Sequence, residues 1–216
     1  MSSAAPERSE VPARRLLGTL GLAGAIAGLL IVLVYQWAEP RIASHRARVL
    51  QLAVQEVLHD PARFETLFVH DGSVHTGAPA GVDTAGLERV YLGYDDAGAP
   101  VGFAVTAAKP GFQDVIQLIF GFDPRTGRLL GMKVLQSLET PGLGDKIEKD
   151  STFVAAFEGV AAPLLPVKRG AAAGEAGEVE MITGATISSR TVIEAINAAL
   201  DRLRPLLEAY MAREGS

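Results

Sequence analysis

Residues 88–138 read ERVYLGYDDAGAPVGFAVTAAKPGFQDVIQLIFGFDPRTGRLLGMKVLQSL, and this stretch decides the fold class. Four short apolar runs, over residues 90–94, 101–106, 115–122 and 129–135, are separated by turn chemistry and read as strands. Asp95-Asp96-Ala97-Gly98 and Asp123-Pro124-Arg125-Thr126-Gly127 are turns, in which proline presets φ and glycine can supply a positive one. Sequential hairpins follow, so the sheet is expected to be mostly antiparallel.

Toward the C-terminus the period changes. Phe153, Val154 and Phe157 are spaced for a short helix, and residues 170–177 form an Ala/Gly/Glu-rich connector. Val192, Ile193, Ile196, Ala199, Leu200, Leu203, Leu207 and Tyr210 then trace one helical face. Thr191 and Glu194 have capping-box spacing at its start, and Pro205 is expected to kink or restart the helix. Strands followed by helices packed on one face make an α+β domain.

Toward the N-terminus, residues 71–86 are rich in Gly, Ala, Thr and Asp without periodicity and read as loop. Ile42, Val49, Leu50, Val54, Val57 and Leu58 recur at helical spacing before Asp60-Pro61, with Pro40 expected to interrupt the pattern ahead of them. Two readings of that helix stay open, a juxtamembrane amphipath and the first helix of the soluble domain. Residues 16–35 carry no charge. As a helix they span about 30 Å, the thickness of a bilayer's hydrocarbon core. The run closes on Tyr35 and Trp37, an interfacial aromatic pair, rather than on a small-residue cleavage site, so an uncleaved anchor is expected over a signal peptide. Arg8, Arg14 and Arg15 before it balance Arg41, Arg46 and Arg48 after it, and charge alone does not orient it. The expected organisation is a short tail over 1–15, a transmembrane helix over 16–37, a juxtamembrane helix and loop over 38–87, and a folded domain over 88–216.

Composition narrows the function. The 216 residues are 48% hydrophobic and 21% charged with a net charge of -5, which argues against nucleic-acid binding, because that needs an electropositive face. The chain has no cysteine, which excludes disulfides, thiolate catalysis and cysteine-ligated metal clusters. His45, His59, His70 and His75 are scattered without metal-ligand spacing. Gly142-Leu143-Gly144 starts a dinucleotide fingerprint, but Ile147 stands where its third glycine belongs.

Two glycine-containing segments at element ends remain unexplained by composition, residues 138–145 (LETPGLGD) and residues 183–189 (TGATISS). In the second, hydroxyls cluster ahead of a predicted helix N-terminus, where unpaired backbone N–H groups favour an anion such as phosphate. Ser188, Ser189 and Thr191 equally suit simple capping, and both readings stay open on this motif alone.

Together the two segments resemble the FMN-binding domain family found in the G subunit of the Rnf electron transport complex and in the C subunit of the sodium-translocating NADH:quinone oxidoreductase. Glu139 to Gly144 reproduces one family signature unaltered, and Thr183-Gly184-Ala185-Thr186 matches the Ser/Thr-Gly-Ala-Thr acceptor motif, with Glu180 where an Asp usually stands. The resemblance covers roughly residues 88–203. It implies an electron-transfer subunit of an ion-translocating complex, with FMN esterified by a flavin transferase to Thr186, making that residue a phosphothreonine. It further implies a cytoplasmic N-terminus, a domain on the periplasmic face of a bacterial inner membrane, and partner membrane subunits. The alternative is a stand-alone membrane-anchored flavin module of a sensor or separate reductase. Glu139, Thr140, Gly142, Leu143, Gly144, Thr183, Gly184, Ala185 and Ser188 are the expected cofactor contacts beside Thr186. Glycines 142 and 144 would admit the flavin closely, with Glu139 and Thr140 offering hydrogen bonds. No acid/base set for independent turnover is visible, and no metal is expected.

Overall fold

The computed structural model describes residues 12–78 and 81–214, so most of the expected tail over 1–15 lies outside the described residues. The chain divides into two compact units, Met1–Arg48 and Val49–Ser216.

The first unit holds most of α1 (Ala13–Val57), the one described helix long and apolar enough to cross a membrane. Pro40 lies inside this helix and does not interrupt it, contrary to expectation. A proline removes one N–H and so one backbone bond. Its neighbours Ala38, Glu39, Arg41 and Ala43 are sound helix formers that carry the helix past it. The Arg41 guanidinium sits 4.1 Å from the centre of the Trp37 ring.

In the second unit, β1 (Arg63–His70), β2 (Ser73–Thr76), β3 (Glu88–Tyr94), β4 (Pro100–Pro110), β5 (Val115–Asp123) and β6 (Arg128–Gln136) form one sheet in the order β2-β1-β3-β4-β5-β6. All its neighbours are antiparallel, as the hairpin turns required. Two strands of this sheet were not foreseen. Residues 71–86, expected as loop, contain β2 and a 3-10 turn at Thr84–Gly86, and β1 precedes them in the same sheet, ahead of residue 88. In β1 only Leu67 is fully buried, so its sequence shows no period of two; pairing along the length of β3 holds it in place.

The central strands are covered on both faces, which is why they read as nearly continuous apolar runs. Val90 and Leu92, Phe103 and Val105, and Leu118 and Phe120 face one core with the C-terminal helix α4 (Thr186–Glu214). Between them Tyr91, Ala104 and Ile119 point the other way, onto Ala53, Val54, Val57 and Leu58 at the end of α1. That second packing is close: a Cβ at Gly121 would overlap the Val57 carbonyl oxygen.

After β6 come α2 (Lys146–Lys149) and α3 (Ser151–Ala155), the latter where a short helix was expected and capped by Asp150 Oδ1, which accepts from the N–H groups of Thr152 and Phe153. The connector around 170–177 is flanked by an unforeseen parallel pair, β7 (Leu165–Val167) and β8 (Glu178–Glu180). Helix α4 begins at Thr186 rather than at Thr191, so the expected capping box is not formed, and Thr191 Oγ1 instead donates to the Pro110 carbonyl at 3.3 Å. Pro205 lies inside α4 and does not restart it as a second helix; Leu203 and Leu207 on either side are buried, and that packing holds both turns.

Candidate functional site

Three segments meet at the start of α4. The first is the β4–β5 turn over 111–114, closed by Gly111 N–H donating to the Asp114 carbonyl at 2.8 Å. The second is the 138–145 segment leaving β6, in which the N–H groups of Leu143 and Asp145 donate to the Thr140 carbonyl at 3.1 and 3.4 Å. The third is 182–189, where Ala185 N–H donates to the Ile182 carbonyl and the chain enters the helix.

Glu139 joins them. Its side chain is 5% exposed, and both carboxylate oxygens are engaged. Oε1 accepts from the N–H groups of Gln113 at 2.9 Å and Asp114 at 3.5 Å, while Oε2 accepts from the Ser188 hydroxyl at 2.5 Å. Burial raises the carboxyl's pKa, but these donors, with the N–H of Phe112, outweigh it and hold the group below the ordinary glutamate value. Two glycines make room: a Cβ would lie 2.5 Å from Oε1 at Gly111, and 2.7 Å from Oε2 at Gly144. The glycines flanking Leu143 thus serve different ends, since Gly142 has open space around it and is needed for its φ of +77°.

Thr140 Oγ1 donates to Gln113 Oε1 at 3.0 Å, tying the first two segments again. Gly184, with φ +85°, brings the third segment beside the second, where a Cβ would contact Leu143 Cδ2 at 3.8 Å. Every expected contact residue therefore falls within this junction. Ala185 is buried, however, and the Ser188 hydroxyl is committed to Glu139. Ser189 Oγ donates to the Ala185 carbonyl and accepts from Ile182 N–H.

These engagements leave the N-terminus of α4 open. The hydroxyls expected to cap it bond elsewhere, and the N–H groups of Thr186, Ile187 and Ser188 have no acceptor among the described residues; the first N–H bonded there is that of Ser189, to the Ala185 carbonyl at 2.8 Å. Thr186 itself is exposed, at the first position of a helix of 29 residues. The three segments also carry large apolar side chains open to solvent: Phe112, Leu138, Leu143 and Ile187 are 68%, 61%, 50% and 55% exposed. Sequence reasoning did not single out the 111–114 turn, which enters the site through the backbone N–H groups of Gln113 and Asp114.

The FMN-binding domain model matches residues 111–201, which starts at that turn and takes in all three segments. The G subunit of the ion-translocating oxidoreductase complex of Methanosarcina acetivorans is 30% identical over 187 residues, covering 87% of this chain and 92% of its own. The G subunit from Pseudomonas aeruginosa strain UCBPP-PA14 is 32% identical over 212 residues, covering 98% of this chain and 96% of its own. The chain belongs to the G-subunit family of ion-translocating oxidoreductase complexes. The crystal structure of Shewanella oneidensis NqrC superposes with a TM-score of 0.65 at 19% identity, over 77% of this chain and 99% of that one, and shows the same fold.

The junction in this member of the G-subunit family fits an FMN group in three respects. Free N–H groups at a helix start suit a phosphoryl oxygen. An exposed hydroxyl stands among them. The exposed apolar side chains on the three segments suit a flat aromatic ring system. A separate cavity of about 280 Å³ lies beside β8, lined among others by Phe153, Arg169, Glu180 and Met181, and includes none of the expected contact residues.

Proposed function

We propose that the chain is the flavin-carrying, electron-transfer subunit of a Rnf-type ion-translocating oxidoreductase complex, holding FMN through a phosphoester to Thr186 Oγ1 on the periplasmic side of the membrane. The observation that carries this reading is the exposed Thr186 hydroxyl at the open N-terminus of α4, within the part of the chain that matches the FMN-binding domain.

The roles follow from position. Thr186 Oγ1 would carry the phosphoester, its O–H bond and one P–O bond of the phosphate being given up with the net loss of one water. The N–H groups of Ile187 and Ser188, at the positive end of the helix dipole, orient the phosphoryl oxygens. Thr183, Gly184, Gly142, Leu143 and Gly144 border the attachment point on two turns, and Thr140 is held to Gln113. When bound, FMN supplies one- or two-electron exchange at its ring, for which the protein provides position and surroundings. No side chain of this site has to act as a general base in that exchange.

A flavin transferase is required for the ester, and other membrane subunits of the complex for electron delivery and withdrawal. Helix α1 anchors the chain with its N-terminus in the cytoplasm. Fluorescence of the denatured protein in a gel, after export with and without a flavin transferase, tests the attachment. A fluorescent band only with the transferase supports it, and a dark band under both conditions rejects it.

A further inference from the structure

We propose that Glu139 is a positioning residue of the flavin site: its carboxylate does not meet the cofactor but clamps the 111–115 turn to the first turn of α4, and keeps the Ser188 hydroxyl off the helix N-terminus. The proposal rests on the flavin reading above.

The geometry is one of full commitment. A carboxylate has about four lone-pair directions, and Glu139 meets donors from two separate segments, the backbone of 113–114 and the hydroxyl of Ser188. It is 5% exposed, so little of it is available to a ligand on the surface. The backbone around it is shaped to admit it, since a methyl group at either Gly111 or Gly144 would overlap its oxygens. Ser188 is the third residue of α4, where a serine hydroxyl could otherwise turn toward the helix start and compete with an incoming anion. Glu139 draws that hydroxyl sideways at 2.5 Å, and the N–H groups of residues 186–188 stay unfilled. Glu139 thereby links the segment bearing the glycine turn to the segment bearing the acceptor, without touching Thr186.

Full-length protein exported with a flavin transferase is compared as wild type, Glu139→Gln, Ser188→Ala and the double variant. Three quantities are read: the loading rate by intact mass, the melting of each unloaded protein, and the visible spectrum and reduction potential of whatever fraction loads. Glu139→Gln keeps the shape of the side chain and removes the charge that Ser188 and the backbone donors share. The expected result is a loss of loading rate of about tenfold in each single variant. The double variant should be no slower than the slower single one, because both act through one bond. The unloaded variants should still melt cooperatively, and residual loaded protein should keep the wild-type spectrum and potential. A shifted potential in Glu139→Gln with undiminished loading would overturn the proposal, because it would make Glu139 a flavin contact. Multiplying losses in the double variant would overturn it too. If Glu139→Gln does not fold, Ser188→Ala decides alone. A wild type that never loads sinks the flavin reading, whereas equal loading of all four proteins sinks only the positioning role.

Discussion

Ser188→Ala deletes one hydroxyl and leaves the rest of the site in place, and its cost can be worked from the structure. The lost bond is a short one, 2.5 Å, from a neutral donor to an ionised and buried acceptor. Hydrogen bonds to charged groups contribute about 1.5–3 kcal/mol, and Glu139 keeps its backbone donors, so a loss of about 2 kcal/mol is expected near neutral pH. For a folded unit of this size that corresponds to a fall in Tm of about 4–8 °C. Thermal unfolding of a chain lacking residues 1–48, followed by circular dichroism in wild type and variant, measures it; the unit from Val49 onward is compact by itself. The pH dependence has a definite sign. The folded-state pKa of Glu139 is lowered, so its contribution is present above the ordinary glutamate value of about 4.3 and is lost as pH falls through the folded value. Removing the Ser188 donor raises that folded value, so the gap between the two proteins should be full at pH 7 and shrink as pH drops below the glutamate range. An unchanged Tm at pH 7, or a gap that widens on acidification, would refute the assignment of the bond.

Gly142→Ala places a side chain at φ +77° with nothing within 4 Å to strike, so denaturant unfolding should register only about 1 kcal/mol of backbone strain, while flavin loading reports whether close approach there matters. Gly121→Ala is expected to cost about 3 kcal/mol, because its Cβ would overlap the Val57 carbonyl oxygen and lift the end of α1 off the sheet; urea midpoints and protease sensitivity near residue 57 read this out. Reporter fusions after Arg48 and at the C-terminus should be active only for a reporter that works outside the cytoplasm, and cytoplasmic activity at both positions would reverse the proposed orientation.

The strands β3 to β6 were legible because each presents its apolar run between strong turn signals, and burial on both faces makes those runs dense. Strand β1 was not, since in RFETLFVH only Leu67 is fully buried and the remaining side chains are half-exposed, so the pairing with β3 is known only once β3 exists. At both prolines the helix continues: flanking helix formers carry α1 past Pro40, where a break was expected, and buried leucines hold α4 together across Pro205. At the site, both glycine segments stood out by composition, but their mutual contact did not. Ser188 looked like a cap because capping is the local use of a serine near a helix start. Its real partner, Glu139, lies 49 positions earlier in the chain. The role of the 111–115 turn was hidden for the same reason, as it contributes backbone N–H groups, which no residue type announces.

The most direct test of the account is intact mass spectrometry of wild-type and Thr186→Ala protein after export alongside a flavin transferase, with Thr183→Ala as the nearby hydroxyl control. Thr186 is exposed and its hydroxyl has no hydrogen-bond partner among the described residues, so its loss should leave the fold in place. The wild type and Thr183→Ala should gain the mass of one FMN less one water, mapped to the peptide containing Thr186, and Thr186→Ala should melt cooperatively yet gain nothing. A Thr186→Ala protein that still carries the flavin mass, or a wild type that never acquires it, would contradict the account.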